Sequence, residues 1–305
     1  MRIQNLKELK KIFKRSTVFF NEPLSRHTSL RVGGPADVFV VIEDISELRR
    51  LLKFAGKAKI PVFVIGGGTN LLVSDRGIRG IVIKLGRAFS GVRFGKTRIE
   101  VGASTPISEL LNKLARKGLS GLEFMAGIPG TAGGAAISNA GSSRQAIGEF
   151  ISSVKIMSHS GKILNIHKKK LKFSYRKSSL KGLKGVLLEV SLEGFKKASG
   201  RAVRDKILLL LKKRKNTQPV NRHSAGCIFK NPPNCPAGLL IDLAGFKGER
   251  IGGAQVSKKH ANFILNCRKA TCRDIMRLIE KIQKKVYRQF RIKLELEVEK
   301  AGVFT

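Results

Sequence analysis

Three consecutive glycines, Gly66, Gly67 and Gly68, follow the apolar run "VFVI" and precede Thr69 and Asn70. Successive backbone N–H groups without side chains in the way form a nest that holds an anion, above all a phosphate. Asn70 could add an amide, and Thr69 or Ser74 a hydroxyl. Three glycines also suffice for a bare tight turn between strands, and for this stretch alone the two readings are even. Its spacing excludes the better-known phosphate loops. A dinucleotide fingerprint needs a helix directly after its glycines, whereas Asp75, Arg76 and Gly77 signal a turn. A P-loop needs Gly-Lys-Ser/Thr, which is absent. A second block, "GIPGTAGGAAISNAG" over 127–141, has five glycines and no charge. Gly130, Gly133 and Gly134 permit close backbone approach to a flat ligand, and Thr131, Ser138 and Asn139 offer uncharged hydrogen bonds. Two such blocks in one region favour a large dinucleotide.

The elements that must carry these loops are legible in the hydrophobic pattern. Strands are expected at 36–42, 62–65 and 80–85, at 97–104 as an edge strand, and at 152–158, 162–166, 185–194 and 293–302. Leu48, Leu51, Leu52 and Ala55 repeat at helical spacing behind Ser46 as cap. Helical spacing returns at 106–117, over 202–219 up to Pro219, and over 271–290. The last of these has Thr271 as N-cap, Asp274 in the capping position, and Ile275, Ile279, Ile282 and Val286 along one stripe. Leu6, Leu9, Ile12 and Phe13 among lysines suggest a short amphipathic opening helix. The pattern describes an α+β nucleotide-binding region of about 200 residues, then a smaller mixed domain.

Composition sets the bounds. With 305 residues, 42% of them hydrophobic, the chain can form two or three domains with real cores. No run approaches the ~18 apolar residues of a membrane span, and the charged start lacks the apolar centre of a secretory signal. Four cysteines without a CxxC pair fit reduced thiols in a cytoplasmic protein rather than a metal site. The net charge of +39 attracts polyanions. However, the basic residues are spread along the chain, and the runs at 168–170 and 212–215 are short. Two tyrosines and no tryptophan leave little for base stacking, so specific nucleic-acid binding is not expected.

Longer motifs carry a resemblance. "HTSLRVGGPAD" (27–37), "IGGGTNLLVSDRG" (65–77), "GLEFMAGIPGTAGGAAISNAG" (121–141), "FSYRKSSL" (173–180), "SAGCIFKNP" (224–232), "AGLLIDLAGFKGERIGGAQVSKKHANFILN" (237–266) and "LELEV" (294–298) stand in one order. In that order and over nearly the whole chain, the sequence resembles the UDP-N-acetylenolpyruvoylglucosamine reductase (MurB) family of peptidoglycan precursor synthesis, in its shorter subclass.

The resemblance implies an α+β protein: a PCMH-type FAD-binding fold of two subdomains plus a smaller α+β substrate-binding domain. The FAD-binding region would cover 1–200, with subdomains at about 20–85 and 86–200. The substrate-binding domain would cover 201–290, and 291–305 would return to the active site as a strand. It also implies non-covalent FAD held at Gly66, Gly67, Gly68, Thr69, Asn70, Gly130, Thr131, Gly133, Gly134, Ser138 and Asn139, with NADPH as reductant. Arg176 matches the active-site arginine. Cys227 takes a slot where the family commonly has serine as proton donor. Glu297 matches the glutamate of the final strand; strand alternation alone does not choose it over Glu295 or Glu299, and Leu296 replaces the usual proline. Tyr175, Lys215 and Asn231 are implied substrate contacts. The partners implied are small molecules, a UDP-sugar enolpyruvate and NADPH.

Overall fold

The structure, a computed structural model, describes residues 9, 11–142 and 145–304. The expected opening helix lies largely outside the described residues; residues 9, 11 and 12 are helical. The chain forms two compact units. Unit one comprises residues up to Phe20, Asp37–Gly67 and Gly80–Lys212, and unit two comprises Asn21–Ala36, Gly68–Arg79 and the chain from Lys213 onward.

Unit one contains two sheets. The four-stranded sheet runs Thr17–Pro23, Pro35–Ile42, Ile78–Leu85, Val62–Ile65, and its last two strands are parallel. Ile81, Val82 and Ile83 are buried on both faces, which is why the centre of this strand reads as an apolar run without alternation. Helix α1 (Ile45–Lys57) turns Leu48, Leu51, Leu52 and Ala55 into the core. Its cap is Asp44 rather than the expected Ser46. The Asp44 carboxylate accepts from the N–H groups of Ser46 (2.8 Å) and Glu47 (3.0 Å). A charged acceptor one step before the first helical residue satisfies two orphan donors and meets the helix dipole.

The second sheet has five antiparallel strands in the order Ile163–His167, Ile151–Ser158, Gly185–Leu192, Ile99–Gly102, Val92–Phe94. The strand expected at an edge, 97–104, is therefore internal as Ile99–Gly102. Alternating burial reports that one face is wetter, not that the strand is last. Helices α2 (Ile107–Arg116) and α3 (Ala132–Ser138), and α4 (Gly200–Thr217) as far as Lys212, complete this unit. Val101, Leu110, Ala136, Val154, Val190 and Val203 share its core.

Unit two packs α5 (Ala237–Leu243) and α6 (Cys272–Phe290) with a small antiparallel sheet of Arg250–Ile251, Ala254–Val256 and Ile264–Asn266. The capping box of Thr271 and Asp274 forms as its spacing predicts, and Ile275, Ile279, Ile282 and Val286 are fully buried. Asp75 adds two bonds at the same end of α6, accepting from Cys272 N–H (2.8 Å) and Arg273 N–H (3.0 Å). The final strand is shorter than expected: only Glu299–Ala301 is regular, parallel to Leu71–Val73. Among the described residues no helix is long and apolar enough to cross a membrane, and no acidic or sulfur cluster could hold a metal.

One carboxylate ties the start of the chain to α1. Glu47, 2% exposed, accepts from the N–H groups of Lys14 (2.6 Å), Arg15 (2.9 Å) and Ser16 (3.0 Å). Burial pushes its pKa up, but the Ser16 hydroxyl and the three N–H groups outweigh this and hold it below the ordinary 4.5. With the folded pKa depressed, the stabilisation is complete above the unfolded value and is lost as pH falls through the folded one. Glu47→Gln should therefore cost about 1–3 kcal/mol near neutrality. That deficit should shrink in urea melts repeated well below pH 4.5; an undiminished deficit in acid would assign the effect to shape rather than charge.

Candidate active site

In unit one the two glycine blocks meet. A Cβ placed on Gly66 would lie 3.1 Å from Thr131 Oγ1 and 3.8 Å from Gly134 Cα. Thr131 caps α3, its hydroxyl oxygen accepting from Gly134 N–H (3.3 Å). Gly133 serves packing: its N–H donates to Ala103 O (2.9 Å), and a Cβ there would come within 2.9 Å of Ala103 Cβ. Gly134, on the next position, would meet only Thr131 Oγ1, at 3.5 Å. The result is a side-chain-free wall between an exposed Gly67 and the start of α3. Gly130 O accepts from Ile107 N–H (3.0 Å), holding the loop to α2. Ser138 donates its hydroxyl back to Gly134 O (2.9 Å) within α3. Such a smooth, uncharged, backbone-lined surface fits a flat ligand with a phosphate-bearing tail.

The same unit carries the arginine. Tyr175 and Arg176 form the turn of a hairpin between Phe173–Ser174 and Lys177–Ser178. Arg176 has φ +54°, and its guanidinium carbon lies 5.2 Å from the centre of the Tyr175 ring.

Unit two holds the rest. Gly68 has φ +63°, and its carbonyl accepts from Ser29 N–H (3.0 Å). Asn70, expected at a phosphate, donates its amide Nδ2 to Glu297 O (3.0 Å), while Asn70 O accepts from Glu299 N–H (2.9 Å). Glu297 N–H in turn donates to Ile228 O (2.8 Å), the residue after Cys227, and Leu296 bridges Phe229. Asn70, the glutamate and the cysteine segment thus form one ladder. Glu295 points outward, its side chain 71% exposed and paired with Lys230 Nζ (3.1 Å), whereas Glu297 is half-buried. Asn231 Oδ1 accepts from Ala237 N–H (3.0 Å) at the start of α5. Lys215 O accepts from Lys259 Nζ (2.6 Å), and both residues line an open cavity of about 530 Å³ with Arg222, Ser257 and Lys258. Thr69 is partly buried beside Gly68.

One supporting residue was not anticipated. Asn262, 2% exposed, donates Nδ2 to Phe229 O (2.8 Å) and accepts from Phe229 N–H (2.9 Å), which fixes the backbone two residues after Cys227. Its sequence signal is an amide inside the apolar run "ANFIL".

On an α+β scaffold such a glycine-walled cradle suits a nucleotide cofactor, and the likeness to FAD-binding proteins makes this the PCMH-type flavin-binding class. The family model for the FAD binding domain matches residues 36–167, and the one for the UDP-N-acetylenolpyruvoylglucosamine reductase C-terminal domain matches 218–301. The UDP-N-acetylenolpyruvoylglucosamine reductase of Caldanaerobacter subterraneus subsp. tengcongensis is 41% identical over 97% of this chain and 97% of its own length. Reductase 2 of Symbiobacterium thermophilum is 40% identical over 91% and 90%. The crystal structure of the reductase from Thermus caldophilus superposes with TM-score 0.81 at 36% identity, covering 95% of this chain and 100% of that one. The chain belongs to the UDP-N-acetylenolpyruvoylglucosamine reductase family and is an FAD-dependent oxidoreductase.

The cradle yields a direct test. Gly66→Val would place methyl groups where the wall is bare, without requiring a positive φ. Overpacking of about 1–3 kcal/mol corresponds to a loss of FAD affinity of roughly 5- to 150-fold. Purified protein should melt cooperatively yet carry little yellow flavin; a full flavin load would remove Gly66 from the cradle.

Proposed function

We propose that this chain reduces the enolpyruvyl double bond of UDP-N-acetylenolpyruvoylglucosamine to give UDP-N-acetylmuramate, with NADPH as reductant and Cys227 as proton donor. FAD, when bound, supplies the route for hydride from NADPH to the substrate. Hydride addition at one olefinic carbon leaves negative charge on its neighbour, delocalised into the adjoining carboxylate. A proton must then reach that carbon.

Arg176 suits the first demand, because a guanidinium is always charged and donates two parallel N–H bonds to a carboxylate-like group. Cys227 suits the second. A thiol's reference pKa of about 8.5 makes it a far readier acid near neutrality than an alcohol, and the thiolate left behind recovers its proton from water. Glu297 would hydrogen-bond the forming enolate or orient the thiol. The observation that carries the reading is the ladder from Asn70 through Glu297 to Ile228, in which main-chain bonds hold the glutamate against the segment of Cys227. Lys215 and the basic cavity around it suit the substrate diphosphate, and Tyr175 and Asn231 would line the sugar. The glycine cradle of unit one would hold the FAD pyrophosphate. The product is a precursor for the cytoplasmic stage of peptidoglycan assembly.

Rapid mixing separates the two half-reactions. Cys227→Ala should reduce flavin with NADPH but slow its reoxidation by the enolpyruvyl substrate by about 100- to 10,000-fold, the range of a lost general acid. Cys227→Ser should restore much of that rate, and Arg176→Lys should slow reoxidation by roughly 100- to 1,000-fold. Alkylation should inactivate the parent and spare the serine variant. Buried Cys272, its thiol pushed up to about 12 by desolvation and then by Asp75, should stay unmodified as an internal control. An alanine variant that turns over normally would reduce Cys227 to a packing residue.

A further inference from the structure

Arg176 sits in a backbone conformation that arginine does not favour. A φ of +54° outside glycine is strained, and such a residue persists only where its surroundings over-determine it. The surroundings here lead to Asn139. This residue ends α3, itself in the left-handed region (φ +48°), where asparagine is better tolerated than most side chains. It is buried, with 4% of its surface exposed. Its amide has two ends and a main-chain partner for each. Oδ1 accepts from Gly148 N–H (3.0 Å), and Nδ2 donates to Ser174 O (2.8 Å). Ser174 is the last strand residue before the Tyr175–Arg176 turn and pairs with Lys177 across the hairpin.

We propose that Asn139 is a positioning residue for Arg176: its amide clasps the base of the hairpin to the C-terminal end of α3, and so fixes the guanidinium relative to the glycine wall at the other end of the same helix. This rests on the role given to Arg176 above. Two features make the clasp effective. It grips main chain, so the turn cannot slide along it. Asn139 itself is buried, and its bond to Gly148 lies out of water, so the amide is anchored at that end while the other end holds Ser174 O. Charge stabilisation by a preorganised donor depends on position, and displacement by about 1 Å can cost roughly 100-fold.

Asn139→Asp tests this. The carboxylate keeps an acceptor for Gly148 and tolerates the positive φ, but it faces Ser174 O without a proton. Reoxidation by the enolpyruvyl substrate should slow by about 10- to 100-fold, with flavin reduction by NADPH slowed much less. The deficit against the parent should narrow as pH falls, because protonating the introduced carboxyl returns a donor. Asn139→Gly, which keeps the turn and drops both bonds, should show the same kinetic split without that pH dependence. Combining Asn139→Asp with Arg176→Lys should cost less than the product of the single effects, since one acts through the other. Loss of flavin, equal slowing of both half-reactions, full additivity, or failure of both variants to fold would overturn the proposal. If Arg176→Lys alone leaves reoxidation intact, the fault lies in the reading of Arg176. If Arg176→Lys slows reoxidation and Asn139→Asp does not, only the clasp falls.

Discussion

The placement of Thr131, Gly134 and Asn139 in unit one depends on how closely a seven-residue helix approaches the end of a strand. α3 is too short to be stable by itself, since helix nucleation is costly and isolated helices need about 12–15 residues. Its position is set from outside. Ala132 N–H donates to Thr105 O (2.8 Å) and Gly133 N–H to Ala103 O (2.9 Å), so the first turn is held by the segment after Ile99–Gly102. That contact requires a missing side chain, because a Cβ on Gly133 would stand 2.9 Å from both Ala103 Cβ and its carbonyl oxygen. Carbon atoms prefer about 3.5–4.0 Å. A larger residue would push the helix off, and with it Thr131 facing Gly66 at one end and Asn139 at the Arg176 hairpin at the other.

Unit two reaches the same end by another route. Asn70, Cys227 and Glu297 lie on irregular backbone, where buried N–H and C=O groups lack a regular ladder and must still find partners. Asparagine amides supply them. Asn262 makes two bonds to Phe229, Asn70 reaches Glu297 O, and Asn266 spans Leu30 O (3.1 Å) and Ala270 N–H (2.9 Å). A side-chain amide imitates a peptide group, so each of these residues acts as a stretch of strand placed where the chain cannot run straight. That leaves Cys227 and Glu297 on backbone that is fixed yet not part of a flat sheet.

The hydrophobic pattern revealed most of the scaffold because burial acts at the range of one element. The helices at 45–57, 107–116 and 272–290 lie close to their expected bounds, as do the strands around 81–83 and 151–158. What it missed depends on neighbours distant in sequence. Nothing local distinguishes an internal strand from an edge one when its faces alternate, and nothing local shortens the final strand to Glu299–Ala301. Site residues divide the same way. Glycine spacing exposed the loops, since the missing side chain is itself the signal. The partners of Asn70, Asn139 and Asn262 were not legible, because an asparagine looks alike whether it meets a ligand, a turn or another segment's carbonyl.

The charge of the chain looks different once its carboxylates are located. With 21 acidic against 60 basic residues, acids are scarce, and several of the best-placed ones hold main-chain N–H groups, whether or not a lysine or arginine also stands near. Asp44 and Asp75 close helix ends, Asp274 completes a capping box, Glu47 gathers three N–H groups, Glu123 takes the Ser120 hydroxyl and Gly121 N–H, and Glu43 takes those of Arg87 and Ala88. For Asp44 the Ser46 hydroxyl leads in lowering the pKa; for Glu47, Glu123 and Asp274 hydrogen bonds prevail over burial. Lysines and arginines outnumber the remaining acids and sit mainly in water, where salt screens them over about 8 Å at physiological strength. Surface ion pairs would contribute little in any case, so losing acids from the surface costs little stability while losing one from a cap costs a buried donor its partner. A chain can therefore drift far towards positive charge and keep its fold, provided the few carboxylates that replace missing backbone acceptors stay in place.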